Sequence, residues 1–219
     1  MNSEESSIYN KLEETLEKYV RYNLYHLTHI DNLNNIVFYG LCSREMLEIE
    51  SFDFVDISDH SVQRRRINYH QYVPLFFADN TPMLYVTFDK YDEKVVLIEI
   101  DKKIILNPNL RIIISDGNIA CSESKYLESF GINQRIEFLK KMDWNIINNQ
   151  GGAFSREWKR IRSAEVLVYG EISNYYFCKV HCSEKFVHEV ESIVEWIDIK
   201  TFGDLTKYGV KKFKSKYYY

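Results

Sequence analysis

The feature that most constrains the fold is a series of short apolar runs, rich in valine, isoleucine and aromatic residues, separated by polar or turn-forming segments. Such runs are typical of β-strands, because a surface helix needs a longer amphipathic pattern. None approaches the ~18 apolar residues that a membrane-spanning helix requires. The sequence predicts strands at NLYHLTH (23–29), VPLFF (73–77), MLYVTF (83–88), KVVLIEI (94–100), LRIIIS (110–115), EVLVYGEI (165–172) and YYFCKVHC (175–182).

Helix signals lie mainly early and late in the chain and combine an apolar stripe with a capping or stop residue. The segments 42–72 and 145–162 lack such signals and are predicted to be irregular. Because strands do not alternate regularly with helices, the pattern favours an α+β fold over a doubly wound α/β fold. The predicted helices run from Ser6 or Ser7 to about Arg21, from Asp31 to Gly40, over about 122–142 with an interruption near Gly131, and onward from Ser183.

Length and composition indicate an ordinary globular chain. Its 219 residues can bury the core of one domain, and eight glycines and three prolines leave little material for a long linker. The N-terminus is polar and acidic, unlike a signal peptide, and four cysteines fit a reducing compartment, so we predict a cytoplasmic protein. Neither a G-x-G-x-x-G motif nor a P-loop occurs, which disfavours nucleotide binding by those routes.

The segment CKVHC is the strongest candidate for a metal site. Its alternation places Cys178 and Cys182 on one face of a strand and His181 on the other. A zinc site needs about four converging ligands. We therefore predict strand packing here and no metal.

Three basic clusters stand out against the net charge of −4: RRR at 64–66, REWKRIR at 156–162 and KYGVKKFKSKYYY at 207–219. Solvated surface charge is one explanation for each. Aromatic residues interleave two of the clusters, which also suits phosphate contact combined with stacking on bases. Composition alone leaves both explanations open.

An acid, Glu165, opens the apolar run EVLVY directly after basic residues at Lys159, Arg160 and Arg162. It could mark the boundary of burial or point into a site. Glu171, at the other end of the same run, has no comparable neighbours and is interpreted as a surface residue.

Five sequence blocks in order carry a resemblance: LYHLTHIDNLNNIVFYGL, SVQRRR, YVPLFFADNTPMLY, SDGN and SAEVLVY. This order resembles the DarT family of DNA ADP-ribosyltransferases over about Asn23 to Val180. The resemblance implies an ADP-ribosyltransferase-like fold, with two packed β-sheets and flanking helices around an NAD cleft. It assigns 23–219 to a single ADP-ribosyltransferase domain and 1–22 to an N-terminal helical extension.

The resemblance also implies an activity. Such proteins are toxins of toxin–antitoxin pairs that transfer ADP-ribose from NAD to a base in single-stranded DNA, and a macrodomain antitoxin of the DarG kind removes the mark. The QRRR segment is more similar to the thymine-modifying branch than to the guanine-modifying branch. An RNA or protein acceptor, or an inactive NAD- or DNA-binding module, remains the alternative.

By the same resemblance, Glu165 and Arg66 are the catalytic residues. A fixed carboxylate can stabilise the positive charge that develops on the ribose when the nicotinamide bond breaks. Arg66 would contact NAD and help to remove the base N3 proton, although a purely phosphate-binding role is also open. The predicted cofactor-binding residues are His26, Leu27, Thr28, Asn35, Leu41 and Arg66.

The region from about Ser115 to Glu165 corresponds to the part of the family that presents the nucleic acid. Two departures are visible: DNT at 79–81 replaces a proline-arginine-serine pattern, and EIESFDFVDISDH at 48–60 is acidic where a cofactor-covering loop is expected. The predicted DNA contacts are Asn118, Arg156, Lys159 and Arg160.

Overall fold

The computed structural model describes residues 3–149, 155–194 and 198–201, with side chains over 9–149 and 155–194. Ten strands occur in these ranges, eight in a main sheet ordered β10-β9-β4-β1-β3-β7-β5-β6 and two in a small sheet, β2-β8. The α+β class is confirmed. In chain order the strands are β1 (Leu24–His29), β2 (Leu41–Cys42), β3 (Tyr72–Phe76), β4 (Val95–Ile100), β5 (Ile112–Ser115), β6 (Tyr126–Ser129), β7 (Glu165–Tyr169), β8 (Glu171–Ile172), β9 (Phe177–Cys182) and β10 (Asp198–Thr201).

The main sheet is weakly joined at its centre. β1 pairs with β4 along its whole length, but it pairs with β3 only at Tyr25 opposite Phe76. Pro74, in the middle of β3, has no backbone N–H to donate to a neighbouring strand. The sheet therefore consists of a first half-sheet (β10, β9, β4, β1) and a second half-sheet (β3, β7, β5, β6), which meet at a seam beside Pro74.

The main hydrophobic core covers one face of both half-sheets, and Val96, Ile98 and Val180 are among its members from the first half-sheet. Leu16 and Val20, from the first helix and the residue after it, also belong to this core. Burial of these side chains supplies most of the driving force for folding. The β-strand residues of the second half-sheet in this core are Val73, Leu75, Ile112, Ile114, Val166 and Val168.

Short helices connect the strands, and most begin at a capping side chain. The helix predicted from Ser6 or Ser7 begins earlier, at Ser3. Asp31 is not the cap of the second helix, because a 3₁₀ turn over Ile30–Asn32 comes first and the His29 side chain accepts from the Asp31 N–H. The α-helices are α1 (Ser3–Tyr19), α2 (Leu33–Tyr39), α3 (Arg44–Ile49), α4 (His60–Arg65), α5 (Pro82–Lys90), α6 (Ile132–Leu139), α7 (Trp144–Ile147), α8 (Arg156–Arg162) and α9 (Val187–Ile193).

The predicted strand MLYVTF is wrong: these residues form α5. Thr81 caps the helix by accepting from the Leu84 N–H, and Pro82 occupies the first turn, where its missing N–H costs nothing. Local capping therefore outweighs the β-propensity of the residues that follow.

Three other segments also differ from prediction. The region 42–72 contains α3 and α4, and 145–162 contains most of α7 and all of α8, so neither is wholly irregular. Ser155 caps α8 by accepting from the Trp158 N–H at 3.0 Å. The predicted helix over 122–142 begins only after Gly131, and the edge strand β6 precedes it.

Two glycines shape the small sheet. Gly170, at φ 77°, ends β7, so the single predicted strand 165–172 is divided into β7 and β8. Gly40, at φ 85°, ends α2, and an added Cβ would lie 2.5 Å from the Ile172 carbonyl oxygen. Any side chain at Gly40 would therefore push β2 and β8 apart.

The proposed division into a helical extension over 1–22 and a domain over 23–219 stays a prediction. α1 is attached to the rest of the molecule by the Lys102 Nζ, which contacts the Glu17 carboxylate and the Val20 carbonyl, both at 2.7 Å. The basic aromatic segment 207–219 lies outside the described residues.

Candidate active site

Glu165 lies at the centre of the second half-sheet, where β7 begins between Phe76 of β3 and Ser115 of β5. Its side chain is fully buried. One carboxylate oxygen, Oε1, accepts from the Ile119 backbone N–H at 2.7 Å, and the other, Oε2, accepts from Arg66 Nη2 at 2.7 Å. Both oxygens are thus fixed by charge-assisted hydrogen bonds.

Arg66 follows directly after α4, whose first turn Asp59 caps through the Ser61 N–H. Its side chain is 13% exposed, whereas the neighbours Arg64 and Arg65 are exposed. The three consecutive arginines therefore have different environments, and only Arg66 reaches the buried carboxylate.

The SDGN turn lies directly before Ile119 and is held in place by Arg160. The Arg160 carbonyl accepts from the Asn118 N–H, and its guanidinium pairs with Asp116 at 2.8 Å and with Glu157 at 2.9 Å. Hydrogen bonding to these carboxylates raises the pKa of Arg160. Arg160 thus positions the SDGN segment, and the Ile119 N–H that follows it fixes Glu165.

A pocket opens at the seam between the half-sheets. Arg66 is among the residues that line it, and Glu165 is not, so the guanidinium lies between the carboxylate and the pocket. Every residue predicted to bind the cofactor contributes to the lining: His26, Leu27, Thr28, Asn35, Leu41 and Arg66.

His26 fills the place where β1 and β3 separate. Its Nδ1 lies 2.9 Å from the Pro74 carbonyl oxygen, which can only accept, so Nδ1 carries the hydrogen. Burial lowers the pKa of His26 below its usual value of 6.5. The neutral ring therefore keeps an acceptor lone pair on Nε2, suited to a hydroxyl group.

The acidic segment 48–60 forms one wall of the pocket. The Asn32 side chain donates to the Val55 carbonyl at 2.9 Å and accepts from the Val55 N–H at 2.7 Å, and it also donates to Thr28 Oγ1 at 3.0 Å. Arg44 adds an ion pair with Asp56 and stacks over Phe54. The segment is therefore held through the Val55 backbone and the Asp56 carboxylate.

Known proteins resemble this chain in sequence and in fold. A family profile described as "DarT: ssDNA thymidine ADP-ribosyltransferase, DarT" matches residues 25–219. The chain belongs to the DarT family. The predicted family is confirmed. The chain is thus an NAD-dependent ADP-ribosyltransferase that acts on single-stranded DNA. The family description names thymidine as the nucleoside.

Solved DarT structures have the same fold. Thermus sp. 2.9 DarT in complex with ADP-ribosylated ssDNA is 21% identical with a TM-score of 0.71, and the alignment covers 83% of this chain and 94% of that one. Thermus sp. 2.9 DarT in complex with NAD+ is 21% identical with a TM-score of 0.65, covering 83% and 95%. Thermosipho africanus DarTG in complex with ADP-ribose is 19% identical with a TM-score of 0.69, and the alignment covers 82% of this chain and 50% of that one. No curated protein sequence matches the chain.

The predicted DNA-contacting residues have different environments in this DarT chain. Arg156 is 87% exposed and pairs with Glu123 at 2.8 Å, and Lys159 is half-buried on the same helix. Arg160 is only 11% exposed and is committed to the SDGN turn, as is Asn118. Arg156 is thus largely exposed to solvent, whereas Asn118 and Arg160 hold the SDGN turn.

The DNT segment that departs from the family pattern does not line the pocket. Thr81 caps α5, and Asp79 lies 3.9 Å from the guanidinium of the buried Arg162. An arginine at position 80 would have to fit where the Asn80 side chain is almost completely buried. These residues stabilise the start of α5.

Several pocket residues were not predicted from sequence. Asn32 lies in the first block of the resemblance, and its spacing of four residues from Thr28 is the signal that could identify it. Tyr69 and His70 lie outside the blocks, and Tyr72 opens the third block but has no pattern that places it at the pocket. The additional lining residues with polar side chains include Asn32, Gln63, Tyr69, His70 and Tyr72.

The cysteines of this chain are free thiols. Among the side chains of 9–149 and 155–194, no three His, Cys, Asp or Glu residues are grouped to hold a metal ion. His181 instead pairs with the Glu99 carboxylate at 2.8 Å. No helix in the described part of the chain is long and apolar enough to cross a membrane.

Proposed function

We propose that the seam pocket binds NAD and that Glu165 and Arg66 catalyse ADP-ribose transfer to thymine in single-stranded DNA. The observation that carries this proposal is the buried Arg66–Glu165 pair at the wall of the pocket. Burying an ion pair costs free energy, because both charges lose their hydration. Buried charged groups beside an open pocket are typical of catalytic sites.

In the proposed reaction, the bond between nicotinamide and the ribose C1′ breaks, and its electron pair goes to the nicotinamide nitrogen. Positive charge develops on the ribose, where the Glu165 carboxylate stabilises it. The thymine N3 loses its proton to solvent, and the N3 anion then bonds to C1′. Arg66 contacts NAD and stabilises the deprotonated base.

Since Arg66 lies between Glu165 and the pocket, we propose that its guanidinium shifts from the carboxylate to a substrate group when NAD and DNA are bound. A phosphate or a thymine anion can replace the carboxylate as its partner. His26 Nε2 would accept from a ribose hydroxyl, and backbone groups around Leu27 would recognise the nicotinamide amide. Thr28, Asn35 and Leu41 would complete the cofactor contacts.

We propose that the DNA strand passes along α8. Arg156 and Lys159 would contact phosphates, whereas Asn118 and Arg160 would act through the SDGN turn that they hold. Phosphate contacts position a strand without reading its sequence. A base held in a pocket must first leave its stack, which favours single-stranded DNA.

The proposed biological role is that of a toxin with a macrodomain antitoxin of the DarG kind, acting in the cytoplasm, where DNA and NAD are available. The similarity to Thermosipho africanus DarTG supports the pairing. Expression of the chain alone should arrest bacterial growth, and co-expression of a DarG macrodomain should restore it. Arrest that the macrodomain does not relieve would contradict this role.

A direct assay tests the enzymatic proposal. Wild-type chain with NAD should add one ADP-ribose mass to an oligonucleotide whose reactive base is thymine and leave a matched guanine-only oligonucleotide unchanged. RNA and protein acceptors in the same assay address the alternatives. Labelling of protein or RNA with no change in DNA would overturn the proposed acceptor.

A further inference from the structure

A tyrosine lies in line with the buried carboxylate. In the strand register, Glu165 of β7 pairs with Ser115 of β5, and Ser115 pairs with Tyr126 of β6. Directly paired residues of neighbouring strands have side chains on the same face. Tyr126 is therefore on the face that carries Glu165, two strands and about 10 Å away.

Tyr126 is also connected to the pocket through Tyr69. The two rings lie 6.4 Å apart at an interplanar angle of 81°, and Tyr69 lines the pocket beside Arg66. Tyr126 is 54% exposed, whereas Tyr69 is half-buried. An aromatic surface thus continues outward from the pocket to the edge strand.

The charge around this surface does not exclude a polyanion. Glu128, two residues along β6, accepts from Tyr72 Oη at 2.6 Å and from Arg111 at 2.6 Å. Its negative charge is therefore offset by an arginine. The exposed Lys125 precedes Tyr126 in the chain.

We propose that Tyr126, supported edge-on by Tyr69, forms a stacking platform for the base adjacent to the acceptor thymine. The inference rests on the proposed function and specifies how that site holds its DNA. Aromatic side chains stack on bases of any sequence. The distance of about 10 Å between Glu165 and Tyr126 leaves room for one base in the pocket and a neighbouring base on the ring. The platform would keep the neighbouring base in place while the thymine enters the pocket.

The test uses the chain of 219 residues and an oligonucleotide with one thymine and 2-aminopurine beside it. Binding to wild type should quench the 2-aminopurine fluorescence. Tyr126→Ala should abolish the quenching and raise the KM for the oligonucleotide about tenfold, whereas the Kd for NAD should change less than about twofold. Tyr126→Phe should behave as wild type, because it keeps the ring.

Tyr175→Ala is the matched control, because Tyr175 is 86% exposed in the turn before β9 and does not line the pocket. It should leave both quenching and KM unchanged. Thermal unfolding of each variant separates loss of stacking from loss of fold.

The outcomes distinguish this inference from the proposed function. If wild type modifies thymine and Tyr126→Ala has wild-type quenching and KM, the platform is wrong and the transferase proposal stands. A Phe variant as impaired as the Ala variant would also overturn stacking. If wild type quenches through Tyr126 but yields no ADP-ribosylated DNA, the platform stands and the reaction proposal fails.

Discussion

The two faces of the second half-sheet have different compositions, and β7 shows the contrast within one strand. Val166 and Val168 are completely buried in the main core. Glu165 and Tyr169 lie on the opposite face, where Glu165 carries an ion pair and Tyr169 is partly exposed. Alternation along a single strand therefore separates the residues that stabilise the fold from those proposed to do the chemistry.

The face that carries Glu165 is stabilised by ion pairs. Each carboxylate on it has a cationic partner: Arg66 pairs with Glu165, and Arg111 pairs with Glu128 at 2.5 Å. A small cluster that includes Ile113 and Leu167 separates the two pairs. This face depends on specific pairing, whereas the core face depends on apolar burial.

The largest effect is expected for Glu165→Gln. The substitution keeps the shape but removes the charge that stabilises the ribosyl cation, so transfer should fall by about 100-fold to 1,000-fold. Quantitative mass spectrometry of a thymine oligonucleotide measures the rate. Glu171→Gln, in the exposed end of the same segment, is the matched control and should retain the full rate; an equal loss in both variants would contradict the assignment.

Arg66→Ala should reduce stability as well as activity. It leaves a carboxylate buried without its counter-charge, which costs about 3–5 kcal/mol in the free energy of unfolding. Arg65→Ala, at an exposed neighbour, should change this free energy by no more than about 0.5 kcal/mol. Urea denaturation measures both, and equal values for the two variants would show that the Arg66–Glu165 pair does not stabilise the fold.

Val168→Ala tests the core face. Removal of two buried methyl groups should lower the free energy of unfolding by about 2 kcal/mol. The transfer rate per folded molecule should be unchanged, because Val168 faces away from Glu165. A variant of wild-type stability with reduced transfer would break the proposed separation of the faces.

The smallest effect is expected from pH at the seam. Because burial lowers the pKa of His26 in the folded chain below its usual 6.5, the unfolded chain binds the proton first as pH falls. Stability from this residue is therefore present above pH 6.5 and is lost as pH decreases towards the folded-state pKa. Between about pH 7 and about pH 5, the free energy of unfolding should fall less for His26→Gln than for wild type. Urea denaturation at both pH values measures this, and identical falls would contradict the argument.

The sequence predicts the parts of this fold that depend on local alternation. Strands β3, β4, β5 and β7 follow from their apolar runs, and the start of β7 at Glu165 follows from the change from basic to apolar residues. The strand assigned to MLYVTF is wrong because a cap at Thr81 and Pro82 decides between two periodicities that the short segment itself leaves open.

Contacts between residues that are far apart in the chain are harder to predict from the sequence. Nothing in the sequence around Arg160 indicates that its guanidinium is bound to Asp116, since that contact joins segments 44 residues apart. Similarly, the row from Glu165 through Ser115 to Tyr126 exists only because three strands pair in one register. The resemblance to a family locates the pocket residues, but it cannot predict how the second half-sheet presents its edge.

One paired measurement tests the central claim most directly: the transfer rate per folded molecule and the free energy of unfolding, both determined for Glu165→Gln and Val168→Ala. The structure predicts that Glu165→Gln loses the transfer rate per folded molecule, whereas Val168→Ala loses stability and keeps the transfer rate per folded molecule. If both variants lose transfer in proportion to their stability, then the two faces of the half-sheet do not have separate roles and Glu165 is not the catalytic group.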